Sequence, residues 1–116
     1  MPADNCIFCK IARREIPATV VAENDECVAF RDLNPQAPVH VLVIPRRHVA
    51  SLDAADGADA ALLGALSLMA AQVARDTGVA TAGYRTVMNT GPNAGQTVFH
   101  VHLHLLGGRS LGWPPG

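Results

Sequence analysis

Apolar and polar residues change period several times along this chain, and each change marks an element. Between residues 6 and 14 (CIFCKIARR), Ile7, Phe8 and Ile11 recur at helical spacing and predict a short first helix, closed by Pro17. Residues 19–23 and 27–33 are β-rich and flank Asn24-Asp25, which reads as a hairpin turn. Residues 39–44 form a strongly apolar strand that ends at Pro45. From 54 to 77, Leu62, Leu66, Met69 and Val73 repeat at steps of four, three and four, building one apolar stripe on a long helix. Gly78 stands where a helix C-terminal glycine belongs. Residues 84–89 read as a strand, 91–95 (GPNAG) as a loop, and 98–106 as a last strand stopped by Gly107-Gly108. Runs of strands that do not alternate strictly with helices predict an α+β fold with a mainly antiparallel five-stranded sheet.

Length and composition narrow the picture. With 116 residues the chain makes one domain over 1–116, and 49% apolar against 16% charged residues excludes a disordered polymer. Nine basic and ten acidic side chains give a net charge of −1, without the positive surplus that a general nucleic-acid binder needs. No apolar run approaches the roughly 20 residues of a membrane span. Residues 1–5 (MPADN) carry no basic-then-apolar signal, so the expectation is a cytoplasmic protein. Three cysteines do not describe a disulfide framework; Cys6 and Cys9 look like one half of a metal site.

All five histidines fall in two places, His40 and His48, then His100, His102 and His104. In a strand, side chains alternate faces. The three imidazoles of 100–106 (HVHLHLL) therefore share one face, while Val101, Leu103 and Leu105 share the other. One histidine on a strand is usually structural. Three on one face are costly as packing, because every ring must satisfy its nitrogens. A metal site or catalysis remains. The preceding loop, 91–97 (GPNAGQT), puts a conformationally free Gly95 beside Gln96 and Thr97, whose N–H groups and side chains suit phosphate oxygens. A neutral imidazole between a phosphate and a backbone carbonyl is a reasonable nucleophile at pH 7.

The run 100–106 resembles the signature of the histidine-triad (HIT) superfamily. Similarity to its Hint branch extends over nearly the whole chain: Ile16-Pro17, Ala29-Phe30, Asp32, Pro35-Gln36-Ala37-Pro38, Val43-Ile44-Pro45, Gly95-Gln96, Gly107-Gly108-Arg109 and Trp113-Pro114-Pro115-Gly116. The resemblance implies a HIT-like fold and a nucleotide-binding hydrolase that cleaves purine nucleoside 5′-phosphoramidates. It implies His102 as nucleophile, forming a nucleotidyl-histidine, with His104 bonded to a phosphoryl oxygen. The carbonyl of His100 would orient the nucleophile, and Thr97 would lie near the leaving group. Gly95, Gln96, Thr97 and Asn89 would hold phosphate, and Asp32 the ribose diol. Ile7, Phe8, Ile11, Ile16, Phe30, Leu33 and Leu42 match the base pocket. No catalytic metal is implied, because the nucleophile is a side chain.

By themselves Cys6 and Cys9 form a Cys-x-x-Cys that reads as zinc, redox or coincidence. The resemblance supplies His48 and His100 as further ligands of a closed, structural zinc site. Cys27 reads as core and His40 as a core histidine near the site. Arg46 and Arg47 read as a solvated surface. Two rival functions share these residues: hydrolysis of dinucleoside polyphosphates, and a nucleotide-sensing or interaction module with incidental catalysis. A tri-histidine metal hydrolase would leave the phosphate loop and Asp32 without a purpose. An open sheet edge, the flank of the long helix (Leu63, Leu66, Ala70) and a stiff tail bearing Trp113 predict a homodimer, as the resemblance also does.

Overall fold

Five strands pair in the order β1-β2-β3-β5-β4, every neighbouring pair antiparallel. They are β1 (Val20–Glu23), β2 (Cys27–Arg31), β3 (Val39–Pro45), β4 (Tyr84–Val87) and β5 (Leu103–Gly107). Two helices complete the fold, α1 (Ile7–Ala12) and α2 (Ala60–Asp76). The computed structural model describes residues 5–116. Residues 1–4, on which the expectation about a signal segment partly rests, lie outside the described residues.

Strand alternation divides the core in two. Cys27, Ala29, Val41, Val43, Leu103 and Leu105 turn to one face and pack under α2 through Leu62, Leu66, Met69, Ala70 and Val73. Val28, Phe30, Leu42 and Ile44 turn to the other and pack under α1 through Phe8, Cys9, Ile11 and Ala12. Each Val, Leu, Ile, Phe or Met among them, removed from water, contributes about 1.5–3 kcal/mol before the entropy of ordering it is subtracted. The α2 layer is an ordinary apolar core. The α1 layer carries the histidines.

Both helices end in the same six-to-one hydrogen-bond pattern. After α2, Gly78 takes φ 81°, and the N–H groups of Val79 and Gly78 bond the carbonyls of Ala74 and Arg75. After α1, Arg14 takes φ 61°, and the N–H groups of Glu15 and Arg14 bond the carbonyls of Lys10 and Ile11. Helix α1 thus stops by its own C-terminal motif, not at Pro17. The hairpin turn is held by Asn24, whose Oδ1 accepts the N–H groups of Glu26 and Cys27.

Three boundaries differ from the sequence pattern. Helix α2 begins at residue 60, not near 54. Short 3₁₀ turns at Leu52–Ala54 and Gly57–Asp59 precede it, the second closed by a reciprocal capping box between Asp56 and Asp59. Strand β4 stops at Val87. Strand β5 enters the ladder only at Leu103, so His100, in a bend, and His102 lie just before it. Contrary to the expectation that no apolar run approaches a membrane span, Gly57–Asp76 is long and apolar enough, by length and composition, to cross one. In this fold α2 lays its stripe on the sheet.

Gly107 is where the α2–β4 connection crosses the sheet. A Cβ there would sit 2.8 Å from Cβ of Val79, itself buried in the α2 layer. Gly107→Ala is therefore expected to cost about 1–3 kcal/mol, the usual range for overpacking a well-filled site. Urea unfolding measures it, and an unchanged midpoint would contradict this close approach.

Candidate active site and metal centre

Val101, Leu103 and Leu105 are buried in the α2 core, and this anchors the chain that carries the three histidines on its opposite side. What each ring presents is then set by the backbone. A neutral imidazole has one N–H and one lone pair, so a partner on one nitrogen decides the other.

For His102, Nδ1 lies 2.7 Å from the carbonyl oxygen of His100. A carbonyl only accepts, so Nδ1 carries the hydrogen and Nε2 the lone pair. For His100, Nε2 lies 2.8 Å from the carbonyl oxygen of Pro45. Its hydrogen is on Nε2, and the lone pair of Nδ1 faces Cys6 Sγ at 3.3 Å and Cys9 Sγ at 3.4 Å. His48 Nδ1 lies 3.3 Å from Cys9 Sγ. Burial pushes His100 down to about 4, a shift that His48 and His102 reinforce and the Pro45 bond partly opposes.

The four donors of Cys6, Cys9, His48 and His100 lie within 4.8 Å of one another. Zinc–sulfur and zinc–nitrogen bonds of about 2.3 and 2.0–2.1 Å at a tetrahedral angle would separate S from N by about 3.5 Å. The three measured S···N separations fit that spacing. The Pro45 carbonyl acts as the outer partner that commonly fixes a ligand histidine. Cys6 is the N-cap of α1, its Sγ accepting the N–H of Cys9.

Helix α1 reaches the histidines through Phe8. Its ring stands edge-on to His102 at 5.0 Å between centroids, to Phe30 at 5.6 Å and to His100 at 6.0 Å. Phe8, Ile11, Phe30 and Leu42 form one buried cluster, with Ile16 packed against it. Ile7 is about half exposed, and Leu33 is 99% exposed, so Leu33 lines no pocket in this conformation. Asp32 is partly buried. Its Oδ1 accepts the N–H of Asn34 at 2.7 Å, and its Oδ2 lies 3.4 Å from His40 Nε2.

The glycine-rich loop is held from inside. Gln96 is buried; its Oε1 accepts the N–H of Gly91, and its Nε2 donates to the carbonyls of Ala50 and Val98. Its own backbone N–H bonds the carbonyl of Gly91. Gln96 therefore staples the loop and keeps no donor for a phosphate. Gly95, at φ 84°, and Thr97 are exposed, and Asn89 is half-buried. Arg46 bonds the carbonyls of Asn24 and Ala12 and the carboxylate of Glu23, joining the hairpin to the end of α1. Arg47 pairs with Asp59. Cys27 is core, its thiol pushed up to about 11 by burial.

His104 follows His102 at 5.1 Å between ring centroids. Burial and the neighbouring His102 and His40 push it down to about 4, with Asp32 opposing. Its ordinary value is 6.5. Between those values the unfolded chain binds a proton that the folded ring refuses. The stability owed to a neutral His104 is complete above about pH 6.5 and is lost as pH falls toward about 4. Unfolding free energy should consequently fall less steeply over this window in His104→Gln than in the wild type. Parallel curves from urea titrations would contradict the shift.

Comparison with known proteins agrees with this arrangement. Residues 13–111 match the HIT domain family, and the chain belongs to that family. It is 59% identical to a HIT-like protein of Synechococcus elongatus over 114 residues, covering 98% of this chain and 99% of that one. It is 48% identical to a protein of Zea mays described as a 14 kDa zinc-binding protein, covering 95% and 87%. Among solved structures, a HIT family hydrolase from Legionella pneumophila superposes with a TM-score of 0.95 at 50% identity. The match covers 97% of this chain and all of that one, 100%. The HIT-like fold and the superfamily expected from the histidine run are those observed.

Proposed function

We propose that this chain is a nucleotide-binding hydrolase that cleaves purine nucleoside 5′-phosphoramidates, giving a nucleoside monophosphate and an amine. The observation that carries the reading is the Nδ1 of His102 held 2.7 Å from the His100 carbonyl, which leaves a lone pair on Nε2 for phosphorus. The hydrolase described from Legionella pneumophila, at a TM-score of 0.95, supports the reaction class.

In this reading Nε2 of His102 attacks the α-phosphorus as the P–N bond to the amine breaks. The leaving nitrogen takes the bonding pair and a proton from solvent, which the attacking water of the next step gives back. The nucleotidyl-imidazolium keeps its hydrogen on Nδ1, where the His100 carbonyl stabilises the positive charge. Water then attacks phosphorus, the nucleoside monophosphate departs, and His102 regains its lone pair. His104 donates to the phosphoryl oxygen that gains charge. Thr97, exposed at the end of the loop, lies on the leaving-group side, and Asp32 takes the ribose hydroxyls. Phe8, Ile11, Ile16, Phe30 and Leu42 line the purine slot, with the exposed Leu33 closing over a bound base. Gly95 lets the loop backbone approach the phosphate, and Gln96 holds that loop in place.

His102→Ala should retain less than about a tenth of wild-type kcat on an adenosine 5′-phosphoramidate, since losing an essential nucleophile removes several kcal/mol of stabilisation. Binding of the nucleoside monophosphate, measured by calorimetry, should survive. Retained turnover would refute the covalent role. Affinity without turnover in the wild type would favour the nucleotide-sensing alternative.

The same reading places one structural zinc ion on Cys6, Cys9, His48 and His100. The donor spacing and the zinc-binding protein of Zea mays support it. The ion supplies a tie between α1 and the histidine strand and no Lewis acid for the reaction. It also includes a homodimer. Leu66 and Ala70 are fully buried within the chain's own core, so they offer a partner nothing. The unpaired edge of β4, the exposed Leu68 of α2 and Trp113, 84% exposed, are surfaces open to a partner. Metal analysis should give one zinc per chain, lost in the Cys6→Ala, Cys9→Ala double variant. That variant should melt at least about 5 °C lower, because 1 kcal/mol moves the Tm of a domain this size by roughly 4–8 °C. A zinc-free wild type, or an unchanged Tm, would overturn the metal assignment.

A further inference from the structure

Residues 91–96 form a loop closed at its neck. Gly91 and Gln96 exchange two hydrogen bonds. The backbone N–H of Gln96 donates to the Gly91 carbonyl at 3.1 Å, and the N–H of Gly91 donates to Oε1 of Gln96 at 2.9 Å. Gly91, at φ 82°, takes a backbone conformation that side chains rarely allow, and so lets the neck close. Gln96 is 5% exposed. Its Nε2 has two hydrogens and two acceptors, the carbonyls of Ala50 at 2.8 Å and Val98 at 3.2 Å.

Residues 48–50 follow β3, and each of the three holds a different part of the site. His48 turns its Nδ1 to Cys9 Sγ at 3.3 Å. The Val49 carbonyl accepts the N–H of Val101 at 2.6 Å. The Ala50 carbonyl accepts Nε2 of Gln96. The Val101 N–H belongs to the same peptide group as the His100 carbonyl, which accepts the Nδ1 hydrogen of His102 at 2.7 Å. A row of hydrogen bonds thus runs from the Val49 carbonyl through this peptide group to the His102 ring. Bonds in such a row polarise one another, so the Val49 bond makes the His100 carbonyl a better acceptor. One residue further along the same segment, the loop is pinned.

We infer that segment 48–50 sets the phosphate loop against the nucleophile, and that Gln96 is the positioning residue on the loop side. The inference rests on the reading that this loop holds the α-phosphate, and it names what fixes the loop's place relative to His102. The direct chain from Gln96 to His102 passes through a bend at 98–100 that pairs with no strand. Covalent connection alone therefore leaves the separation loose. Two neighbouring carbonyls bridge it, Val49 for the nucleophile and Ala50 for the loop.

Loss of the Gln96 amide would leave the Gly91 N–H and the carbonyls of Ala50 and Val98 each short of a partner. The neck would keep only its backbone bond, and nothing would tie it to segment 48–50. An attacking group is sensitive to this, since a misplacement of about 1 Å costs about 10²-fold in rate. Asp32 follows β2 and Phe8 stands on α1. Read as holding ribose and base, they belong to other elements, so the nucleoside half of the ligand should not feel the change.

The test uses Gln96→Met, which keeps the length of the side chain and loses its amide. With an adenosine 5′-phosphoramidate it should lower kcat about 10²-fold. Affinity for adenosine monophosphate should fall about tenfold, the usual loss for one hydrogen bond to a charged group. Affinity for adenosine, which has no phosphate, should stay within about twofold, because the loop does not touch it. General loss of structure would weaken both ligands alike. Equal changes in the two affinities, or an unchanged kcat, would overturn the inference. Gly91→Ala opens the same neck from its other side and should show the same split between the two ligands. Solvent exchange of the Gln96 side-chain amide, read by NMR in the wild type, needs no variant. It should be more than about tenfold slower than in an exposed glutamine, and slower again with adenosine monophosphate bound. Exchange as fast as in an exposed glutamine, or no response to the monophosphate, would overturn the inference. If the wild type binds the monophosphate but turns over no phosphoramidate, the proposed reaction fails, and the two affinities still decide the role of Gln96. A wild type that holds the monophosphate no tighter than adenosine would overturn both.

Discussion

A neutral imidazole owns one hydrogen and one lone pair, and in this protein the backbone spends one of the two on His40, His100 and His102. The Pro45 carbonyl takes the hydrogen of His100, so its lone pair faces the thiols. The His100 carbonyl takes the hydrogen of His102, so its lone pair is left for chemistry. The Gln36 amide takes the lone pair of His40, which passes its hydrogen to His104. Three histidines of one short run thus present three different faces, although their side chains are identical. Backbone partners are well suited to this, because an amide or carbonyl does not titrate and a packed loop does not turn away.

The rest of the fold holds those partners still. Val101, Leu103 and Leu105 are locked under α2, which fixes the peptide groups between the histidines. Pro45 ends β3 opposite Cys27, the Gln36 loop closes through the bond from Asp32 N–H to the His40 carbonyl, and Gln96 pins the glycine loop to Ala50. On the other side of the sheet Phe8 stands against His100 and His102 at once, between the two cysteines. A metal on the four donors would therefore steady His102 through packing while leaving its Nε2 untouched.

Much of this was legible in the sequence because it depends on period. Alternation in 100–106 put three rings on one side, and the stripe of Leu62, Leu66, Met69 and Val73 identified the core helix. Cys6 and Cys9 announced half of a four-donor Cys/His cluster. What period does not encode was missed. The capping box that delays α2 to residue 60 uses two aspartates that look like surface charge. Strand β5 reads too long in the sequence because the apolar alternation continues back through a bend at residues 98–100 that pairs with no strand. Gln96 reads as a phosphate ligand until its amide is seen bonded inward on three groups. Leu33 reads as pocket lining because exposure is not written in residue type. His40 is hardest of all, since its meaning lies in the direction of two hydrogen bonds to groups far apart in the chain. Its one local hint is the spacing of Gln36 and His40 around a proline-rich turn.

Neutron diffraction from deuterium-exchanged crystals of the wild type tests the central claim most directly, because it locates the hydrogen on each ring. The account predicts deuterium on Nε2 of His100, His40 and His104, and on Nδ1 of His102 with Nε2 bare. Deuterium on Nε2 of His102 would contradict it.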